Sequence, residues 1–243
     1  MCEMCRQNSI ERFEPSRRGV LGAAVSTMGL LLASAAGAKE MKAPPKPQNV
    51  LTPAASLERL QKGNARYVEG VSLRHDFKHE REALAGGQNP YAAVLSCADS
   101  RIAPEYAFDS GRGDLFVCRV AGNFANSESV ASLEYAVAEL GTPLILVLGH
   151  DACGAVSATI KSLKDDTTLP GHLPSLVEGI APAVKAVSGQ TGDTLANAIR
   201  QNVIDNVGKL SSATPILSAA VAQNKLKVVG GIYRLRDGRV EMV

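Results

Sequence analysis

Two cysteines and one histidine have the residue types and the spacing of a metal site. His150 and Cys153 are three positions apart, and Cys97 lies well upstream of them. Two thiolates and an imidazole form a ligand set that zinc favours. Three protein ligands leave the fourth tetrahedral position to water, which is the arrangement of a catalytic site. The sequence therefore predicts one zinc ion per chain, held by these three residues.

An acidic and a basic residue follow the first predicted ligand, at Asp99 and Arg101. Two thiolates cancel the formal charge of Zn²⁺, so this metal should acidify water less strongly than one held by three imidazoles. A carboxylate that accepts a hydrogen bond from the water would orient it. We expect Asp99 to do so, while Arg101 keeps it ionised and away from the metal through a forked ion pair. The alternative is an Asp that caps a turn beside a surface Arg.

Four short apolar runs and several helical patterns must position these residues. The runs predict strands at 91–96, 115–120, 144–148 and 227–233. The patterns predict helices at 127–140, 154–163, 174–187, 193–209 and 215–223. Strands separated by helices indicate a parallel sheet with helices on its faces.

The predicted ligands lie at the ends of two of these strands. Cys97 directly follows the first run, whereas His150 and Cys153 follow the third. The carboxyl ends of parallel strands meet at one edge of a sheet, where such sheets bind ligands. Cys153 also precedes a predicted helix, whose N-terminus favours a thiolate. We therefore expect the three side chains to converge.

The predicted fold is α/β, with a mostly parallel central sheet, flanking helices and an N-terminal helical arm. About four strands are parallel, and residues 239–243 add an antiparallel edge strand after a turn. The arm is predicted for Thr52 to Glu69, where a capping Thr and a Pro begin an amphipathic pattern.

Composition and charge narrow the class of protein. Hydrophobic residues make up 45% of 243 positions, enough for one sizeable core, so we assign residues 51–243 to a single catalytic domain. The 26 Lys and Arg nearly balance the 24 Asp and Glu. Because there is no positive excess to neutralise phosphates, we expect no nucleic-acid partner.

The N-terminus has the pattern of an export signal. Arg17 and Arg18 precede an uncharged stretch that ends in the small residues Ala36-Gly37-Ala38, which resembles a twin-arginine signal peptide cleaved after Ala38. Residues 1–38 would be the signal and 39–50 a charged, Pro-rich linker. The protein would then be exported, to a bacterial periplasm, with no stable membrane association after cleavage. A retained membrane anchor is the alternative.

The segment from Cys97 to Arg101 (CADSR), followed by Gly149 to Val156 (GHDACGAV), resembles the paired signature of β-carbonic anhydrases. Segments 119–123 and 133–137 are similar to further family segments, and the resemblance runs from about Leu57 to Tyr233. It implies zinc-dependent, reversible hydration of carbon dioxide, in which zinc-bound hydroxide attacks CO2 and bicarbonate and a proton leave.

The resemblance, which is to the plant-like branch of the family, also implies a substrate pocket and an assembly. Gln88, Phe116 and Tyr135 match the family's pocket residues, and Ala121 replaces the valine of many relatives. The family implies a homodimer or larger homo-oligomer with exchanged N-terminal helices and pocket residues contributed across the interface.

Three other functions fit the same residues. A hydrolase of carbonyl sulfide or carbon disulfide would use the same scaffold and the same nucleophile. A non-catalytic protein stabilised by zinc would have Asp99 as a fourth ligand. A cysteine hydrolase would pair Cys97 or Cys153 with His150 and would not depend on metal.

Overall fold

The computed structural model describes residues 50–243. The predicted export signal (1–38), all of the predicted linker except its last residue, and the CxxC pair of Cys2 and Cys5 lie outside the described residues.

One five-stranded sheet organises the described part of the chain, in the order β2-β1-β3-β4-β5. The strands are β1 (Ala92–Ser96), β2 (Leu115–Arg119), β3 (Leu144–His150), β4 (Lys227–Tyr233) and β5 (Val240–Met242). The first four are parallel, and β5 pairs antiparallel with β4. The predicted α/β fold is confirmed.

Burial explains why the central strands are continuous apolar runs. Every residue of β1 and of β3 is buried, because both strands have a neighbour on each side and helices on both faces. β2 lies at one edge of the sheet, where four of its residues are half-buried and Arg119 is exposed. Of the two outer parallel strands, β4 is therefore covered by β5, whereas β2 forms an edge of the sheet.

Eight helices complete the described part of the chain. They are α1 (Pro53–Val68), α2 (Phe77–Leu84), α3 (Pro104–Ala107), α4 (Ser127–Ala138), α5 (Gly154–Lys164), α6 (Pro174–Ala186), α7 (Thr194–Ser212) and α8 (Ile216–Ala222). Helices α2 and α3 were not predicted, because α2 buries none of its residues and α3 has only four. Within residues 50–243, no helix combines the length and apolar character needed to cross a membrane.

Side-chain caps begin several helices where the sequence indicates them. The hydroxyl of Thr52 accepts a hydrogen bond from the Ala55 N–H, ahead of Pro53 at the first helical position of α1. Asp193 caps α7 in the same way by accepting from two backbone N–H groups. Such caps satisfy donors that a helix leaves free, and each contributes about 1 kcal/mol.

Helix α1 makes close contacts with other parts of the described chain. Leu60 is buried, and a Cβ on Gly63 would lie 1.9 Å from the Phe108 carbonyl oxygen, so the two backbones approach closely. The Asn64 amide donates to the carbonyls of Ala107 and Gly238. These contacts lie within a single chain, and the exchange of N-terminal helices between subunits stays a prediction.

Candidate metal centre

The three predicted ligands meet at the carboxyl edge of the sheet. Cys97 directly follows β1, and Cys153 is the N-cap residue of α5. His150 is the last residue of β3 and pairs with Tyr233 of β4, so the strand runs two residues beyond its predicted end at 148. The extension follows from β4, which continues far enough to supply partners for Gly149 and His150.

The geometry and chemistry of the three side chains fit a zinc ion. Their ligand atoms all lie within 4.8 Å of one another, and all three residues are buried. Both cysteines are free thiols. Nε2 of His150 is buried without a hydrogen-bond partner among the described residues, although an orphaned polar atom is costly. Ligands of one tetrahedral zinc are about 3.5 to 3.8 Å apart, so only a small contraction is needed.

The electrostatics of the two cysteines favour one thiolate. The hydrogen bond from Cys153 lowers the pKa of the Cys97 thiol, and burial opposes this shift. The hydrogen bond with Cys97 raises the pKa of Cys153, and burial raises it further. One thiolate therefore forms readily, and a thiolate is the form of cysteine that binds a divalent cation.

Backbone geometry also prepares Cys97 to act as a thiolate. The Gly122 N–H donates to Sγ of Cys97 at 3.3 Å, and the Gly122 carbonyl accepts from Asn202 at 2.8 Å. Gly122 has φ of +87°, and a Cβ there would lie 2.4 Å from Ile180. Only glycine meets both requirements, which explains its place beside the site.

His150 is fixed in one tautomer by the residue that follows it. Its Nδ1 lies 2.8 Å from the Asp151 carbonyl oxygen, and because a carbonyl can only accept, Nδ1 must carry the proton. The lone pair of Nε2 is then available to a metal. Sequence reasoning missed this role of Asp151, although the residue lies within the HDAC segment.

Asp99 and Arg101 form the predicted forked ion pair. Nε of Arg101 donates to Oδ1 of Asp99 at 2.9 Å, and Nη2 donates to Oδ2 at 2.6 Å. The Arg101 hydrogen bonds hold the pKa of the Asp99 carboxyl well below its usual range, although partial burial opposes the shift. Oδ2 of Asp99 also lies 3.9 Å from Nε2 of His150, so the carboxylate is beside the ligand cluster without being one of its members.

Arg119, at the end of β2, holds the loop that carries Cys97 and Asp99. Its guanidinium donates to the carbonyls of Cys97 at 3.0 Å, Asp99 at 2.8 Å and Ile102 at 2.9 Å. Sequence reasoning did not assign this role, because three backbone acceptors on a neighbouring strand end leave no side-chain pattern. The residue lies in the 119–123 segment already noted.

The expected substrate-pocket residues divide into two groups. Ala121 adjoins Gly122 and therefore lies beside Cys97. Phe116 and Tyr135 contact each other with ring centroids 6.4 Å apart, but Phe116 pairs with Ala93, about 13 Å along the strand from Cys97. Gln88 is exposed and precedes β1, so it lies at the amino ends of the parallel strands, opposite the carboxyl ends that carry the candidate ligands. One chain therefore brings only Ala121 to the metal ligands.

Other candidate ligands do not form a second cluster in the described part of the chain. Cys118 is a half-buried free thiol in β2. His75 and His79 pair with Glu80 and Asp76 respectively. Residues 50–243 contain one group of three or more metal-binding side chains, which is the one described above.

Comparison with known proteins points to one family. Residues 92–240 match the family model described as carbonic anhydrase. Carbonic anhydrase 2 of Mycobacterium tuberculosis is 40% identical over 189 residues, which cover 77% of this chain and 91% of that protein. Carbonic anhydrase of Mycolicibacterium smegmatis is 38% identical over 192 residues, which cover 78% and 93%.

Solved structures agree with this match. The β-carbonic anhydrase CcaA has 29% identity and a TM-score of 0.59, over 76% of this chain and 94% of that one. One of two tetrameric β-carbonic anhydrases from Sordaria macrospora has 26% identity and a TM-score of 0.60, over 78% and 94%.

Proposed function

This chain belongs to the carbonic anhydrase family, in its β class, and from that membership we propose that it catalyses the zinc-dependent, reversible hydration of carbon dioxide. The chain is an enzyme, since its homologues and structural neighbours are carbonic anhydrases. The observation that carries the proposal is the convergence of Cys97, His150 and Cys153 within 4.8 Å, beside an ionised Asp99.

One zinc ion per chain would be held by Cys97, His150 and Cys153. When bound, zinc supplies Lewis acidity that makes water a nucleophile near neutral pH. The protein supplies a buried ligand set, with the Nδ1 proton of His150 held by a carbonyl and the Cys97 thiolate held by the Gly122 N–H. These contacts orient the ligands toward the metal.

Asp99 would orient the attacking water. While ionised, its carboxylate acts only as a hydrogen-bond acceptor, and Arg101 donates to both of its oxygens. Oδ2 would accept a hydrogen bond from the O–H of the water. A lone pair of the water oxygen would then be directed at the carbon of CO2. Arg101 has a second effect, because a carboxylate engaged by a guanidinium is held back from becoming a fourth ligand.

The test is stopped-flow CO2 hydration by the purified enzyme at about pH 6.5 to 9, with zinc content measured on the same sample. We expect one zinc per chain and activity that rises with pH and is lost in Asp99→Ala. Bound zinc with no hydration at any of these pH values would contradict the proposal. Carbonyl sulfide and carbon disulfide, offered to the same sample, would then identify a sulfur-analogue hydrolase.

The complete substrate pocket would require a second copy of the chain. Phe116 and Tyr135 lie at the β2 edge, remote from their own chain's ligands, and Tyr135 is 49% exposed. An exposed aromatic pair beside a sheet edge suits burial against a partner. We therefore propose a homodimer or larger homo-oligomer in which Gln88, Phe116 and Tyr135 serve the partner's metal site.

Mixing two inactive variants tests this arrangement. Asp99→Ala and Tyr135→Ala damage different halves of a shared site, so co-expressed chains would form hybrid dimers with one intact site. Random pairing would restore about a quarter of wild-type activity. No restoration by hybrids shown to be dimers would place the pocket within one chain and overturn the proposal.

Export of the enzyme through a twin-arginine pathway is a further proposal. It is supported by Arg17 and Arg18, the uncharged stretch after them and the small residues before Ala38. Export of folded protein would let zinc protect the thiolates before they reach an oxidising compartment. Mass spectrometry of the secreted protein should find Lys39 at the N-terminus, and Arg17→Lys with Arg18→Lys should retain the protein in the cytoplasm.

A further inference from the structure

Asp151 links a metal ligand to a different part of the sheet. Its carbonyl accepts from Nδ1 of His150 at 2.8 Å, and its N–H donates to the Tyr233 carbonyl at 3.2 Å. Its side-chain Oδ1 accepts from the Leu235 N–H at 3.0 Å. The first bond orients the imidazole, while the other two attach the peptide making that bond to the end of β4.

The β4–β5 turn, residues 234–239, is the segment to which the Asp151 side chain is bonded. Two backbone hydrogen bonds of 2.8 Å close this turn, from the Gly238 N–H to the Arg234 carbonyl and from the Arg234 N–H to the Arg239 carbonyl. Helix α1 holds it from the other side, since Asn64 donates to the Gly238 carbonyl at 2.8 Å and accepts from the Val240 N–H at 2.9 Å. Hydrogen bonds on both sides therefore fix the position of the turn to which Asp151 is bonded.

The segment held by Asp151 needs such support. Ala152, between Asp151 and Cys153, has φ of +50°, a conformation that costs a non-glycine residue about 1 kcal/mol or more. Strained residues persist when surrounding contacts hold them. Asp151 supplies such contacts directly ahead of this residue.

We propose that Asp151 is a positioning residue of the metal centre, whose side-chain bond to the β4–β5 turn holds its own carbonyl against Nδ1 of His150. The inference rests on the proposed zinc function but adds a role for a side chain that touches neither metal nor substrate. It makes the β4–β5 turn, remote in sequence from all three ligands, part of the support of the site. Removing the side-chain acceptor should then loosen the metal.

The test compares Asp151→Ala with Asp151→Asn in zinc-loaded protein. Asn keeps an acceptor oxygen for the Leu235 N–H, whereas Ala has none. Asp151→Ala keeps the carbonyl that bonds His150 but loses the side-chain bond that holds this carbonyl in place. Because complete loss of a hydrogen-bond partner behind a metal ligand commonly costs 10- to 100-fold in affinity, we expect the variant to release zinc to a chelator about tenfold faster than wild type. Asp151→Asn should stay within about threefold of wild type.

Cobalt(II) in place of zinc gives a readout that simple destabilisation would not move. The visible bands of cobalt bound by thiolates and imidazole depend on coordination geometry. We expect the bands of Asp151→Ala to shift, and those of Asp151→Asn to overlay wild type. Unchanged bands together with unchanged zinc release in Asp151→Ala would overturn the proposal.

Asp76→Ala is the matched control. Asp76 accepts from the His79 N–H at 3.2 Å at the start of α2, so this change deletes a side-chain-to-backbone bond without touching the His150 segment or the β4–β5 turn. Equal zinc loss in Asp76→Ala would also overturn the proposal. If Asp151→Ala does not fold, Asp151→Ser replaces it, since its oxygen is one bond too short to reach Leu235. Wild-type protein that binds no zinc would instead refute the proposed function.

Discussion

Arg101 holds both oxygens of Asp99, through Nε to Oδ1 at 2.9 Å and Nη2 to Oδ2 at 2.6 Å. The backbone N–H of Arg101 adds a third bond to Oδ1 at 2.9 Å. The pair is two residues apart in sequence, so the loop after β1 needs no distant element to form it. The ion pair matters for function because of its position, with Oδ2 of Asp99 3.9 Å from Nε2 of His150.

Arg101→Ala should impair the reaction without removing zinc. With the guanidinium gone, Asp99 keeps only the backbone N–H bond to Oδ1, so Oδ2 is no longer held as a fixed acceptor for the water. We expect kcat/KM for CO2 hydration to fall about 100-fold, as for other losses of one preorganised hydrogen-bonding group, with one zinc per chain retained. Arg101→Lys should recover only part of the loss, since an ammonium cannot bind both oxygens in a fork.

The control for this change is Arg112→Ala. The Arg112 guanidinium is exposed and lies 5.6 Å from the Phe77 ring centroid, apart from the ligand residues. We expect its kcat/KM to match wild type. Full activity in Arg101→Ala would refute the orienting role of the pair.

Replacing one ligand thiol should remove the metal, whereas replacing the third described thiol should not. Serine is a poor zinc ligand because its hydroxyl stays protonated, so Cys97→Ser should lower zinc content to below about one tenth per chain. Cys118→Ser should keep full zinc, since Cys118 lies in β2 outside the cluster. Metal analysis of both purified proteins gives the result, and equal zinc in both would exclude Cys97 as a ligand.

The buried carboxylate of Asp109 should make the enzyme sensitive to acid. Burial raises the pKa of Asp109, but hydrogen bonds from Arg66, Leu73 and Ser72 outweigh it, so the folded-state pKa is lowered. The unfolded chain therefore binds this proton first, at a pKa of about 3.9. The stabilisation is complete above that pH and is lost as pH falls through the lower folded-state pKa.

Asp109→Asn tests this sign with chemical denaturation at two pH values. The substitution should cost about 1 to 3 kcal/mol of unfolding free energy at pH 7, and less at about pH 3. Asp205→Asn is the control, since Asp205 is exposed on α7 and should change stability little at either pH. A cost for Asp109→Asn that grows in acid would contradict the assignment.

Gly122→Ala should destabilise both the fold and the metal site. The new Cβ meets Ile180 at 2.4 Å, and φ of +87° is unfavourable for alanine, so we expect a loss of about 2 to 4 kcal/mol and faster zinc release. Gly208→Ala is the matched control, because Gly208 is helical and a Cβ there has nothing within 4 Å. That change should raise the free energy of unfolding slightly, by up to about 1 kcal/mol.

The elements that sequence reasoning found are those with a strong local pattern. β1 and β3 are unbroken apolar runs because they are buried on both faces, and α7 has a capping Asp and an apolar periodicity. Helices α2 and α3 lack both signals, so they were missed. The end of β3 was missed for a different reason, because it depends on how far β4 extends beside it.

The sequence by itself indicated the candidate ligand set, the Asp99–Arg101 pair and the α/β fold, because each is encoded in residues close along the chain or in periodic apolar patterns. Only the tertiary structure decided which side chains support the site. The Arg119 bonds to the Cys97 loop, the Asp151 bond to Leu235 and the packing of Asn64 against the turn all join segments from different strands and helices. Such contacts depend on strand order and register, which no local pattern specifies.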